Sequence, residues 1–216
     1  MHDDKIKVIC LDLNDTLVKE KTWPNLNFAM GMTPEENTMF YNLHRNSEIT
    51  YTMWVEIALG IYRNRKNLTQ PEIEKITSNY TYFLSAEDLV KYLKQKYTVV
   101  IVSCAMDMLV EKVAKNLGVK HFKSLTKFFF NKFGHISQIK VDDRTGDEAK
   151  NKVHFLEEIC SNLGFKLENC VCIGDGDNDY ELFKETKGIT FTYSKEWHKE
   201  LAWKTVSDLE EIRTIL

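Results

Sequence analysis

Hydrophobic residues along this chain follow two alternating patterns. Short continuous apolar runs stand at Ile6 to Leu13 (IKVICLDL), Tyr97 to Ser103 (YTVVIVS) and Asn169 to Gly174 (NCVCIG). Each is brief, rich in β-branched residues and closed by a polar residue or glycine, the pattern of a strand buried on both faces of a parallel sheet. Between and after them, Ser85 to Lys96, Met106 to Leu117 and Lys150 to Leu163 space their apolar residues as amphipathic helices do. Towards the end, Asp179 to Glu185 predicts a short helix, Ile189 to Tyr193 a strand and Ser207 to Leu216 a last helix. Strand and helix in alternation predict an α/β fold whose crossover helices cover a mainly parallel central sheet. Ligands of such a sheet lie outside the carboxyl ends of its strands.

Residues 18–84 interrupt this rhythm. The stretch shows no clear strand and contains all three prolines of the chain, Pro24, Pro34 and Pro71. Thr33 to Glu36 (TPEE) reads as a helix N-cap, a proline at the first helical position and an acidic first turn, and Leu68 to Lys75 (LTQPEIEK) repeats that grammar. A helical insertion of about 65 residues is too long for a plain loop, so the expected division is a core of residues 1–17 and 85–216 and an inserted helical unit of 18–84. Phe128 to Ile139 (FFFNKFGHISQI) predicts a hairpin that turns near Lys132, Phe133 and Gly134.

Composition mostly excludes. The 216 residues are 43% hydrophobic and 28% charged, with nine glycines. That rules out a collagen-like or disordered chain and leaves enough apolar mass for a core. A net charge of −3 speaks against a phosphate-tracking surface, so no nucleic-acid partner is expected. No apolar run approaches the roughly 18 residues of a membrane span, and MHDDKIKVIC lacks the basic start and apolar stretch of a secretory signal. The five cysteines, Cys10, Cys104, Cys160, Cys170 and Cys172, are odd in number and show no CxxC spacing. They read as small buried hydrophobes of a reducing, cytoplasmic protein.

The chemistry sits at the strand ends. The first run closes in Asp12-Leu13-Asn14-Asp15-Thr16-Leu17, where an aspartate at a strand terminus is placed either for reaction or simply to form a polar turn. The second closes in Ser103-Cys104-Ala105-Met106. A hydroxyl there, with the main-chain N–H groups of Cys104 onward, suits a phosphate oxygen, and it suits a helix cap equally. The third runs into Gly174-Asp175-Gly176-Asp177-Asn178-Asp179. Three carboxylates so close repel unless a cation sits among them, and an oxygen-seeking Mg²⁺ fits better than a calcium loop, which requires a longer ligand series. Lys152 opens the following helix, where a lysine by default is solvated surface.

These four pieces, in this order on successive strand ends, resemble the haloacid dehalogenase superfamily, most closely its phosphoserine phosphatase-like branch. Asp12 matches the nucleophile of the first motif and Thr16-Leu17 its tail. Ser103 matches the phosphate-binding hydroxyl, Lys152 the third motif's lysine, and GDGDND the acidic fourth motif, with Asp175 and Asp179 as its pair and Asn178 between them. The resemblance implies a Rossmann-like, three-layer core, a helical cap at 18–84 and a β-hairpin flap near Lys132 to Gly134. It also implies a Mg²⁺ cofactor at Asp12, the Asn14 main-chain carbonyl and Asp175, with Asp179 orienting water on the ion. Asp12 would form an aspartyl-phosphate that water then hydrolyses. Ser103, Cys104, Lys152 and Asn178 would hold the phosphoryl group of a small phosphorylated metabolite. The resemblance leaves the oligomeric state open.

Asn14 departs from the pattern. The family's phosphatases usually carry an aspartate two residues after the nucleophile, which protonates the leaving alkoxide and activates water. An amide does neither, and general acid–base help is worth about 10² to 10⁴ in rate. Turnover should therefore suffer while metal and phosphate binding survive. Either an original aspartate has been replaced, the reading favoured by the otherwise intact site, or the natural chain turns over slowly. The branch's substrate-facing glutamate, nine residues after the nucleophile, is also missing: Lys21 stands there, with Glu20 one place early, which argues against phosphoserine itself. Arg45, Arg63 and Arg65 could meet a carboxylate or second phosphate, or be solvated helix faces. Rival functions are a phosphotransferase using the same intermediate, a non-catalytic phosphate-ligand-binding regulator, and a receiver-type signalling domain. The long insertion and the late GDGDND disfavour the last.

Overall fold

The computed structural model describes residues 5–216. In chain order the elements are β1 (Val8–Leu11), α1 (Thr22–Ala29), α2 (Pro34–Arg45), α3 (Tyr51–Asn64), α4 (Gln70–Thr77), α5 (Ala86–Leu93), β2 (Thr98–Met106), α6 (Asp107–Leu117), β3 (His121–Phe130), β4 (Ile136–Val141), α7 (Glu148–Leu163), β5 (Cys170–Ile173), α8 (Tyr180–Glu185), β6 (Lys187–Phe191), α9 (Glu196–Leu201), β7 (Lys204–Val206) and α10 (Leu209–Ile215). The strands form a seven-stranded sheet in the order β4-β3-β2-β1-β5-β6-β7. All neighbours are parallel except β3 and β4.

β1 lies at the centre, with Val8 to Leu11 paired in register against Thr98 to Ile101 on one side and Cys170 to Ile173 on the other. All four residues are buried, and they alternate between the two faces. Ile9 and Leu11 join a cluster with Leu89, Val113 and Ile212, whereas Val8 and Cys10 join one with Phe155, Leu156 and Phe183. That is the three-layer α/β arrangement the alternating pattern predicts. Among the described residues no helix is long and apolar enough to cross a membrane.

The inserted stretch holds α1 to α4. Thr33 and Glu36 form a reciprocal capping box with Pro34 at the first helical position, and Thr69 and Glu72 form another with Pro71 in the first turn. The chain leaves and re-enters the core side by side: Lys19 N–H donates to Thr81 O at 3.0 Å, and Phe83 N–H to Leu17 O at 2.9 Å. Leu26, Tyr51, Val55, Tyr62 and Ile73 of the insertion belong to the same apolar cluster as Val8 and Phe155 of the core, so the helices sit on the sheet's own hydrophobic face.

Two expectations need correction. β2 does not stop at Ser103 but runs on to Met106, with a shift in its pairing to β3 between those residues, and α6 starts only at Asp107. The hairpin is longer than Phe128 to Ile139, and its first strand also belongs to the main sheet. β3 begins at His121 as a parallel strand of the main sheet and then turns back as the antiparallel edge pair with β4. Its turn is closed by Asn131, whose Oδ1 accepts from Phe133 N–H (2.9 Å) and His135 N–H (3.1 Å), with Gly134 at φ +81°. α9 and β7 lie in a stretch for which the pattern predicted no element.

Candidate active site

The carboxyl ends of β1, β2 and β5 face the inserted helices across a cavity of about 430 Å³ lined by Asp12, Asn14, Ser103, Cys104, Asp175 and Asn178, among others. Its floor is set by main-chain register. Asp12 N–H donates to Ile173 O at 2.9 Å, which fixes the end of β1 beside the end of β5. After it the chain coils tightly, with Leu17 and Val18 N–H both donating to Leu13 O and Asp15 in the left-handed region at φ +54°. The coil brings buried Thr16 under the other loop, where its hydroxyl donates to Asp175 Oδ1 at 3.1 Å.

Lys152 is not solvated surface. Asp147 caps α7, accepting from the Ala149 and Lys150 N–H groups, and the helix then aims Lys152 into the floor, where it is 1% exposed. Its Nζ donates to Asp12 Oδ1 (2.7 Å), Asp179 Oδ1 (2.7 Å) and Asn178 Oδ1 (2.9 Å). Burial alone would strip its proton; the Asp12 and Asp179 carboxylates reverse that and hold its pKa well above the usual lysine range. Burial raises the Asp12 carboxyl against the pull of Lys152. Asp175 is pushed up to about 8, first by burial and then by Asp12, Asp179 and Asp15. Oxygens of Asp12, Asp175 and Asp179 lie within 4.8 Å of one another. Asp179 Oδ2 also accepts from Gly176 N–H at 3.2 Å, a fit that depends on Gly174: a Cβ there would stand 2.4 Å from the Asp179 carboxyl carbon.

Ser103 is buried on the cavity wall, and its Oγ accepts from Ala105 N–H at 3.2 Å. The carbonyl of Cys104 accepts from Trp23 Nε1 (3.1 Å) and the Tyr51 hydroxyl (3.4 Å), while burial pushes its thiol well above the ordinary range. Asn14 Nδ2 donates to Thr22 Oγ1 at 3.3 Å, and its buried Oδ1 meets no partner among the described residues. Of the three arginines, Arg45 lines the cavity and pairs with Asp177 Oδ2 at 2.5 Å, and Lys195 pairs with the same oxygen at 2.6 Å. Arg63 instead binds Ser137 O on β4, and Arg65 clasps Glu36 within the cap. Glu20 is occupied by Thr81 N–H at 2.6 Å, and Lys21 is exposed.

Comparison with known proteins agrees with this geometry. The haloacid dehalogenase-like hydrolase family matches residues 6–185. The chain belongs to that family. Within it, the chain is similar to the phosphoserine phosphatase of Methanocaldococcus jannaschii, 26% identical over 184 residues that cover 85% of this chain and 83% of that protein. It is also similar to the phosphoserine phosphatase of Archaeoglobus fulgidus, 27% identical over 209 residues, although the match spans only 56% of that longer protein. A solved phospho-aspartyl intermediate analogue of phosphoserine phosphatase superposes with a TM-score of 0.80 at 25% identity, covering 98% of this chain and 99% of that one. This haloacid dehalogenase-like protein is thus of the phosphoserine phosphatase-like branch, a group of phosphoric monoester hydrolases.

Proximities across the cavity were not legible in the sequence. His44 lies 3.4 Å from Glu148, Arg45 reaches Asp177, and the Tyr51 and Trp23 rings anchor on Cys104. The one available signal was the basic last turn of α2, where His44 and Arg45 complement the helix's negative end.

Proposed function

We propose that this protein is a Mg²⁺-dependent phosphomonoesterase acting through an aspartyl-phosphate on Asp12, with turnover limited by Asn14. The observation that carries this reading is the floor itself: a buried carboxylate at the end of β1, held by Lys152 and sharing a cluster with Asp175 and Asp179. The donor set fits the ion. It consists only of hard oxygens, and its mutual repulsion, visible in the raised Asp175 carboxyl, is what a divalent cation relieves. Asp12, Asp175 and Asp179, with the Asn14 main-chain carbonyl, would hold it. When bound, Mg²⁺ supplies the positive charge that lets an anionic nucleophile approach an anionic phosphate.

The remaining steps belong to the chain's own residues. Lys152 fixes Asp12 Oδ1 and leaves the other carboxylate oxygen to attack phosphorus; the new O–P bond forms as the ester P–O bond breaks. Ser103, Lys152 and main-chain N–H groups near Cys104 hold the phosphoryl oxygens. The departing alkoxide needs a proton, and the water that cleaves the Asp12–phosphate bond must lose one. Asn14 can serve neither transfer.

Replacing Asn14 with Asp should therefore raise kcat on alkyl phosphates at least about tenfold, and less on p-nitrophenyl phosphate, whose leaving group needs no proton. EDTA should abolish both activities. A panel of phosphometabolites with Mg²⁺ tests this, and equal rates for the Asn14→Asp and parent proteins on every ester would refute the role given to residue 14. Labelled phosphate recovered on an added alcohol rather than in water would reassign the protein as a phosphotransferase.

A further inference from the structure

Resting on the phosphomonoesterase reading, we propose that the cap selects an ester whose alcohol carries a flat aromatic ring. The cavity above the floor is walled by Trp23, Tyr41, His44, Tyr51, Trp54 and Tyr180. The rings meet at steep angles: Trp23 and Tyr51 at 6.4 Å and 81°, Tyr51 and Trp54 at 5.9 Å and 87°, Tyr41 and Trp54 at 6.2 Å and 67°. Such packing offers both ring faces and ring edges to an occupant, as an aromatic guest requires.

The wall begins next to the phosphate end. Trp23 Nε1 and the Tyr51 hydroxyl both bind the carbonyl of Cys104, the residue after Ser103. A group one or two bonds from a phosphate held at Ser103 therefore meets these rings first. A cavity of about 430 Å³ lies in the range that encloses small ligands.

An amino-acid head group finds little to bind. It requires a free cation for its carboxylate, and the cationic groups of this wall and its rim already face carboxylates. Arg45 and Lys195 share Asp177, and His44 faces Glu148. Asp147 caps α7, and Glu20 holds Thr81 N–H. Drawing Arg45 or His44 onto a substrate carboxylate would exchange one ion pair for another and gain little. A quaternary ammonium group also suits aromatic rings, but here it would meet Arg45 and His44 in the same wall.

The test compares kcat/KM with Mg²⁺ for benzyl phosphate, cyclohexylmethyl phosphate, O-phosphoserine and phosphocholine, none of which has an activated leaving group. Benzyl phosphate should lead each of the others by about tenfold. In Tyr41→Ala and Trp54→Leu its advantage over cyclohexylmethyl phosphate should collapse through KM. Parity of benzyl with cyclohexylmethyl phosphate, or a lead for O-phosphoserine or phosphocholine, overturns the proposal. Calorimetry with benzylphosphonate against methylphosphonate measures the same preference without turnover, with about tenfold tighter binding expected for the ring. Loss of all Mg²⁺-dependent hydrolysis, even in Asn14→Asp, would sink the enzyme reading, while the phosphonates would still decide the ring preference.

Discussion

The floor of the cavity and the cap above it use their polar side chains in opposite ways. On the floor, charges of one sign are pressed together away from solvent: buried Asp12 and Asp179 and half-buried Asp175 share one small volume with the buried Lys152. On the cap side, charges meet opposite charges near solvent, as Arg45 does at Asp177 and Arg65 at Glu36. The exposed Arg65 fork holds the Glu36 carboxyl down at about 2, an ordinary ion-pair effect. Frustrated charge is expensive to build and is poised for a cation and a phosphate. Satisfied charge ties the cap to the core and stands beside the aromatic rings that wall the cavity. The two regions should therefore respond to mutation on different scales.

The largest effect is expected at Asp12, the proposed nucleophile. Asp12→Asn keeps the shape of the side chain and removes its negative charge, so turnover should fall by about 10⁴-fold or more. Circular dichroism should show the fold unchanged, because the substitution relieves carboxylate repulsion and Lys152 retains Asp179 and Asn178. Residual activity within tenfold of the parent on p-nitrophenyl phosphate would place the reacting group elsewhere.

Gly174→Ala tests whether the floor is shaped by backbone as well as by charge. The added methyl would fall 2.4 Å from the Asp179 carboxyl carbon, so Asp179 must leave both Lys152 and Gly176 N–H. A displacement of about 1 Å at such a site costs about 10²-fold in rate, and overpacking costs about 1–3 kcal/mol of stability. Thermal melts and kcat read the two separately. Unchanged kcat would mean that Asp179 is not needed where it stands.

A pH effect should come from beneath the same loop. Thr190 Oγ1 donates to Gly174 O at 2.9 Å and lies 3.1 Å from His198 Nδ1, and buried His198 stacks on Phe183 with ring centroids 4.6 Å apart. Burial pushes the His198 pKa down to about 4, with Asp177 opposing it. Unfolded, this histidine titrates near 6.5, so between those values the unfolded chain binds a proton that the native chain does not. Its contribution to stability is complete above about pH 6.5, is lost as pH falls towards 4, and amounts to something on the order of 2 kcal/mol. Denaturant midpoints of the parent and His198→Gln across that window should converge at low pH. Parallel curves would show that His198 titrates alike in the folded and unfolded chain.

How much of this was legible in the chain divides along the same line. The floor could be read because its residues lie in short contiguous motifs at the ends of apolar runs, where sheet register alone decides what faces what: Leu11 opposite Ile173 puts Asp12 beside Gly174. Even Lys152, bland as a lone lysine, could be placed through its motif. The cap could be read only as helices. Its contacts join residues far apart in sequence, Arg45 to Asp177 or His44 to Glu148, and no local pattern encodes such pairs. β2 overran Ser103 because Cys104, Ala105 and Met106 are apolar enough to continue the strand, while their pairing shift went unmarked in the sequence. α9 and β7, six and three residues long, are too short for periodicity to show.

The smallest effect is expected where the two regions touch. Arg45 is 42% exposed and shares Asp177 with Lys195, so Arg45→Ala leaves that carboxylate a partner. Exposed pairs contribute about 0–1 kcal/mol, and the melting temperature should move by no more than about 4 °C. With this Arg45–Asp177 latch between α2 and the loop after β5 loosened, kcat/KM should change less than about fivefold, and added salt should erase much of the difference by screening the pair in the parent. Lys195→Ala alone should behave alike. The double substitution strips Asp177 of both cations and should cost more than the two singles together, a coupling that a double-mutant cycle measures directly. Should Arg45→Ala instead cut turnover as deeply as Asp12→Asn, the latch would be part of the reacting floor, and the division between frustrated floor and satisfied cap would fail at its seam.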